Sequence, residues 1–196
     1  MKNKIFAGLS ELALIFSGCK PGMDDPSDFC FFPQGDGIFI ANEGNFMWGN
    51  GSVSFYSFDS LKIYNEIFSG INGRPAGDVP NFIAIHGNRA YIVVNNSNKI
   101  EVVDCNTFKS TGIITGLVSP RQICFINDSE AYVSSLYSTK ISVIDITDNK
   151  ITRYIETGRT TEAIVLKGSM AYISCWAGGN EVIIINTLTH EVAGSL

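Results

Sequence analysis

The stretch AYIVVNNSNKIEVVDCNTFK, Ala90 to Lys109, decides the fold. It reads as a β-run, a polar turn, a second β-run ending in Asp, and a further turn. The chain repeats it about 41 residues later as AYVSSLYSTKISVIDITDNK (Ala131 to Lys150) and about 40 after that as AYISCWAGGNEVIIINTLTHE (Ala171 to Glu191). A weaker copy lies upstream, where GIFIANEG is followed by GSVSFYSFDSLK between Gly37 and Lys62. Self-similarity at this period marks supersecondary units that bury their apolar faces only by stacking on one another.

Working outward, each unit resolves into four short β-runs. The second contains NFIAIHG (Asn81 to Gly87), RAYIVVN, NKIEVVD and the poorer FKSTGII (Phe108 to Ile114). The first is expected to hold DFCFF (Asp28 to Phe32), GIFIAN, SVSFYSF and KIYNEIF (Lys62 to Phe68). The units span 28–68, 81–114, 121–157 and 162–196. Four strands joined by short turns within one period are the pattern of a propeller blade. The fold class expected is therefore all-β, a partial β-propeller of four four-stranded blades. A β-sandwich would account for the strands but not for the repeat. The fourth unit stops inside its outer strand, so the units are read as an arc of a larger ring, with closure on themselves as the alternative.

The periodicity carries a packing logic. Ile100, Val102, Ile141, Val143, Val182 and Ile184 take matching alternate positions in the third strand of successive units. Sheets stacked inside a ring are buried on both faces, which explains the apolar residues between them. Asp104 and Asp145 end matching strands, and Asn186 stands in the same place; all three suit turn hydrogen bonding better than acid–base chemistry.

The 196 residues are 45% hydrophobic, with Phe 13 and Tyr 7, as expected of a packed β-protein. A formal charge of -5 and scattered arginines (Arg121, Arg153, Arg159) argue against a nucleic-acid surface. Residues 1–18 read as an export signal, with Lys2 and Lys4 before an apolar run and small residues before Cys19. This order resembles a bacterial lipobox, which implies cleavage before Cys19 and lipidation of its thiol. Residues 19–27 then form a polar, acidic tether, and the only membrane attachment expected is the lipid. The acidic stretch behind the cysteine also resembles surface-export signals of Bacteroidota lipoproteins. Cys30, Cys105, Cys124 and Cys175 lack metal-ligand spacing. Cys124 and Cys175 read as buried thiols, with a disulfide between them as the alternative.

Propeller topology puts the second-to-third strand loops and the inter-blade loops on one face. Those loops hold Glu43, Asn45, Phe46 and Trp48 in the first unit, Asn96 in the second, Tyr137 in the third and Trp176 in the fourth. The inter-blade connections add Arg74, Asp78 and Asn81, then Arg121, then Arg159 and Glu162. Rings give contact area and amides fix orientation, so this rim is the expected ligand site. Packing between blades is the competing role for Phe46, Trp48 and Trp176. No nucleotide loop, zinc signature or triad elbow is present in the sequence, and no catalytic residue, metal or cofactor is expected.

The run GIFIANEGNFMWGNGSVSFYSFDS with GINGRPAGD, and the blade repeats after it, resemble the YncE-like, YVTN-type propeller lipoproteins of Bacteroidota over residues 36–196. The resemblance implies a seven-bladed ring, of which this chain would be the N-terminal half. It further implies an outer-membrane, surface-exposed protein that binds a small molecule, with cobalamin as the candidate, for a TonB-dependent transporter. A protein-interaction or cell-surface scaffold is the alternative, and a propeller lactonase or lyase a more distant one.

Overall fold

The computed structural model describes residues 35–177 and 180–196. The expected strand at 28–32, the signal and tether, Cys19 and Cys30 lie outside the described residues. Gly37–Asn42 (β1), Ser52–Ser57 (β2) and Lys62–Tyr64 (β3) make a three-stranded sheet. Pro80–His86 (β4), Arg89–Val94 (β5), Lys99–Asp104 (β6) and Ser110–Ile114 (β7) make a four-stranded one. Pro120–Phe125 (β8), Glu130–Ser135 (β9), Lys140–Asp145 (β10) and Lys150–Glu156 (β11) make the third. Thr161–Lys167 (β12), Met170–Cys175 (β13), Val182–Asn186 (β14) and Glu191–Ser195 (β15) make the fourth. Every pairing is antiparallel between neighbours in sequence, so each sheet is a meander. Strand β8 packs against both β4 and β12, which sets the first strands of the blades side by side. The chain is an all-β, partial β-propeller.

One expected strand is corrected. KIYNEIF does not continue to Phe68: β3 ends at Tyr64, and Ile67–Asn72 is a helix (α1). Glu66 at φ 53 turns the chain out of the strand, and Gly73 at φ 65 ends the helix with its N–H on the Ser69 carbonyl. The turn buries Ile67 and Phe68 against Val53, Phe55 and Phe108, a packing gain unavailable to an edge strand. Phe108, expected to open a strand, is instead a fully buried turn residue stacked on Phe39.

Three apolar clusters lie between the sheets. Val53, Phe55, Ala90, Ile92 and Phe108 join the first two blades. Tyr91, Ile100, Val102, Ile123 and Val133 join the next pair, and Tyr132, Ile141, Val143, Ile164 and Ile173 join the last. Tyr172, Val182 and Ile184 repeat the positions of Tyr132, Ile141 and Val143 but are only partly covered. Cys124 and Cys175 pack at the edge of the last cluster as free thiols, as does Cys105 beside the first, so no bridge joins Cys124 to Cys175.

Polar joints accompany the apolar ones. Side chains of an earlier blade bond the main chain of the later one: Asn81 Nδ2 donates to the Arg121 carbonyl (2.8 Å), Asn95 Nδ2 to the Pro120 carbonyl (3.0 Å) and Arg89 Nη1 to the Ile146 carbonyl (3.1 Å). Gln122 takes both groups of Ile164, accepting from its N–H at 2.8 Å and donating to its carbonyl at 3.3 Å.

The outer hairpins repeat one turn. Asp104 Oδ1 accepts from the N–H groups of Asn106 and Thr107, Asp145 Oδ1 from those of Thr147 and Asp148, and Asn186 Oδ1 from that of Leu188. Phe108, Asn149 and His190 then sit at positive φ in matching places. The backbone donors of Thr147 and Asp148 hold the Asp145 carboxyl below its ordinary value of 3.8. Burial pushes Asp104 upward, but the Thr107 and Asn106 donors outweigh it and leave that carboxyl low as well.

Two outcomes follow from this packing. Ile173→Ala, at a fully buried site, lowers the unfolding free energy in urea titration by about 3 kcal/mol, whereas Val165→Ala at an exposed one leaves it nearly unchanged. Because the Asp104 and Asp145 values are depressed on folding, their stabilisation is complete above the unfolded value of 3.8 and is lost as pH falls below it. The thermal midpoint of Asp145→Asn should therefore fall less than that of the wild type between neutral pH and pH about 3.

Candidate binding face

Because every blade is a meander, the loops 43–51, 95–98 and 136–139, and the described residues Trp176, Ala177, Asn180 and Glu181 between β13 and β14, emerge at one end of the sheets, together with the inter-blade connections. This end carries every candidate ligand residue, though in different roles.

Four rings point to solvent. Phe46 (63% exposed), Trp48 (76%), Tyr137 (74%) and Trp176 (59%) stand on the second-to-third strand loops of the first, third and fourth blades. Among the described residues, none of Phe46, Trp48 and Trp176 is packed between blades. Met47, on the same loop, is as exposed as Trp48. Glu43 and Asn45 lie on the same exposed loop, where the Asn45 N–H donates to Asn50 Oδ1 (2.8 Å). A cleft of about 170 Å³ opens beside it, lined by Gly49, Asn50, Ser52, Glu66 and Phe68.

The cations of this face are committed to carboxylates. Arg121 forks onto Glu162, with Nε at 2.8 and 3.0 Å from the two oxygens and Nη2 at 2.6 Å from Oε1. Asn81, Arg121 and Glu162 are the second residues of β4, β8 and β12, each within a register shift against the neighbouring strand. A bulge re-aims a side chain, which accounts for Asn81 and Arg121 reaching along the ring to the next blade. Arg159 Nε lies 3.5 Å from Glu181 Oε2, an exposed and weaker pair.

Arg74 does not join the rim cluster. Its guanidinium makes a bidentate pair with the fully buried Glu101 of β6 (2.7 and 2.8 Å), bonds Ser110 Oγ and lies over the Phe68 ring. Lys99 Nζ adds a third cationic contact to Glu101 at 2.6 Å. The sequence signal was the lone Glu101 in an apolar strand, since a buried carboxylate needs a nearby cation.

Asn96 is also structural. Its Nδ2 donates to Asp78 Oδ2 at 2.5 Å, and that carboxylate accepts from the Met47 N–H (2.9 Å) and the Gly49 N–H (3.2 Å). The Asn96 amide, with the two backbone donors, holds the Asp78 carboxyl below its ordinary range against a smaller desolvation effect.

The arrangement offers aromatic contact surface, amides and largely neutralised charge at one end of an arc. Compared with known proteins, residues 36–196 match the family described as Domain of unknown function (DUF5074), and the chain belongs to that family. No curated protein gives a significant match. Among solved structures, the chain is similar to Kuenenia stuttgartiensis hydrazine synthase, at 26% identity and a TM-score of 0.56 over 59% of this chain and 35% of that one. It is also similar to the dihydro-heme d1 dehydrogenase NirN in complex with DHE (13% identity, TM-score 0.59, 80% of this chain and 37% of that one). A functionally unknown protein from Desulfotomaculum acetoxidans DSM 771 matches at 18% identity and a TM-score of 0.60, over 80% of this chain and 52% of that one. The chain spans between about a third and about half the length of these structures. The two less identical matches bear on fold alone.

The Arg74 assignment has a measurable consequence. Arg74→Ala leaves Glu101 buried with only Lys99 and costs about 3 kcal/mol in denaturant unfolding, while Arg74→Ala combined with Glu101→Leu recovers most of that loss.

Proposed function

Starting from membership of the DUF5074 family, we propose that this protein is a non-enzymatic binding propeller that captures a small molecule at its aromatic rim. The observation that carries the reading is the exposure of Phe46, Trp48, Tyr137 and Trp176 on one class of loop while Arg121 and Arg159 beside them are paired with glutamates. Large rings left in water at the mouth of a rigid scaffold suit a ligand with an apolar face, and nearby amides such as Asn45 suit its polar edge. Capture is reversible and needs no bond-making step.

In this proposal the protein is a YncE-like surface lipoprotein of the Bacteroidota type, anchored to the outer membrane through Cys19, and it passes its ligand to a TonB-dependent transporter. Cobalamin is the candidate ligand, because a flat macrocycle edged with amides matches rings interspersed with amide side chains. A second reading, a scaffold that binds a protein partner, is favoured by one feature: the Phe46–Trp48 tip protrudes instead of lining a deep pocket.

Isothermal titration with cyanocobalamin tests the proposal. Binding is expected, with Trp48→Ala and Trp176→Ala each weakening it about tenfold. An absence of heat with cyanocobalamin and other corrinoids rejects that ligand class. Unchanged affinity in both variants, should binding occur, rejects the rim as its site.

A further inference from the structure

We propose that Asp78 is the positioning residue of the rim: its carboxylate clasps the Phe46–Trp48 tip of the first blade to the second blade and presents the tip in a fixed arrangement before a ligand arrives. The inference rests on the rim-binding reading above and deepens it.

Three donors from two blades converge on this one carboxylate. The Met47 and Gly49 N–H groups come from the tip, and Asn96 Nδ2 comes from the β5–β6 loop. The Asp78 N–H in turn donates to Ser97 Oγ at 2.9 Å, which ties the clasp to the second blade twice. Within the tip, the Trp48 N–H donates to the Asn45 carbonyl at 3.0 Å. The polar main chain is thus drawn inward, and what faces water is Phe46, Met47 and Trp48.

The backbone around the clasp is held in conformations that side chains disfavour. Met47 and Val79 sit at φ 66 and 59, and a β-branched residue such as Val79 is a steric outlier there. Gly77, at φ +135, packs so closely that a Cβ would stand 2.6 Å from Ser97 Oγ. Such strain persists only where surrounding contacts over-determine it.

Two further points separate this contact from ordinary blade packing. The joints made by Asn81, Arg89 and Asn95 each place one side-chain bond on one main-chain group of the later blade, whereas here a single carboxylate takes two N–H groups of the first blade. Moreover, the tip it holds buries almost nothing, so the clasp adds no core; what it supplies is order in an exposed apolar surface. A ligand meeting an ordered surface is spared the entropy of arranging it.

The test uses the full chain carrying Trp176→Phe, so that Trp48 is the sole tryptophan. Asp78→Ala is expected to speed hydrogen exchange of the Met47 and Gly49 amides at least tenfold and to lower the Trp48 fluorescence anisotropy. Exchange at Ile92 and Ile173, in the blade cores, stays at its original rate. Asn96→Ala, which removes one arm, gives an intermediate effect at the same two amides. Unchanged exchange at Met47 and Gly49 overturns the proposal, as does a loss of protection spread evenly through the blades, which would make Asp78 a general stabiliser. Cyanocobalamin titration is run in parallel on the wild-type chain and on Asp78→Ala with Trp176 intact. If the wild type binds it, Asp78→Ala should weaken binding at least tenfold, and equal affinity overturns the positioning role. If the wild type does not bind it, the ligand assignment fails while the exchange result still decides the clasp.

Discussion

A four-stranded sheet with apolar residues on both faces has no stable existence in water, and the whole molecule depends on how it solves that problem. Each blade is covered by the next, so Tyr91, Ile100 and Val102 lie under Ile123 and Val133, and Tyr132, Ile141 and Val143 under Ile164 and Ile173. Burial between neighbours supplies the cohesion, and it fixes the blades face to face closely enough that their loops share one end. The candidate site is a by-product of that stacking: no single blade could assemble it.

Much of the fold was legible because the physics is periodic. The repeat of AY-runs and Asp-ended strands states strand number, pairing and turn chemistry together, and the turns at Asp104, Asp145 and Asn186 have the bonding their residue types implied. The helix at Ile67–Asn72 was not legible, because six residues with Ile, Phe and Ile at helical spacing also pass for a strand. Its signals were Gly73 just beyond the end and a helix-compatible spacing of apolar residues, both weak taken singly.

The site was legible only in outline. Which loops share an end follows from topology, so Trp48, Tyr137 and Trp176 could be grouped from the sequence. What a polar side chain does there depends on partners far away in the chain. Arg74 is taken by Glu101 and Asn96 by Asp78, pairings 27 and 18 residues apart that no local pattern announces. Aromatic exposure was similarly open, since a ring that plugs two blades and a ring that faces solvent look alike in sequence; Phe108 does the first and Trp48 the second.

The way the blades are bonded bears on how such a chain can grow. Asn81, Arg89, Asn95 and Gln122 each reach the peptide groups of the following blade, and peptide groups are the same whatever residues carry them. A blade copied by gene duplication brings its own reaching side chains and asks of its new neighbour little more than an extended backbone in the right place. The joints are therefore portable, while the loops at the shared end are free to diverge from copy to copy. An architecture bonded in this way can lengthen by whole units and still acquire a distinct surface on each of them.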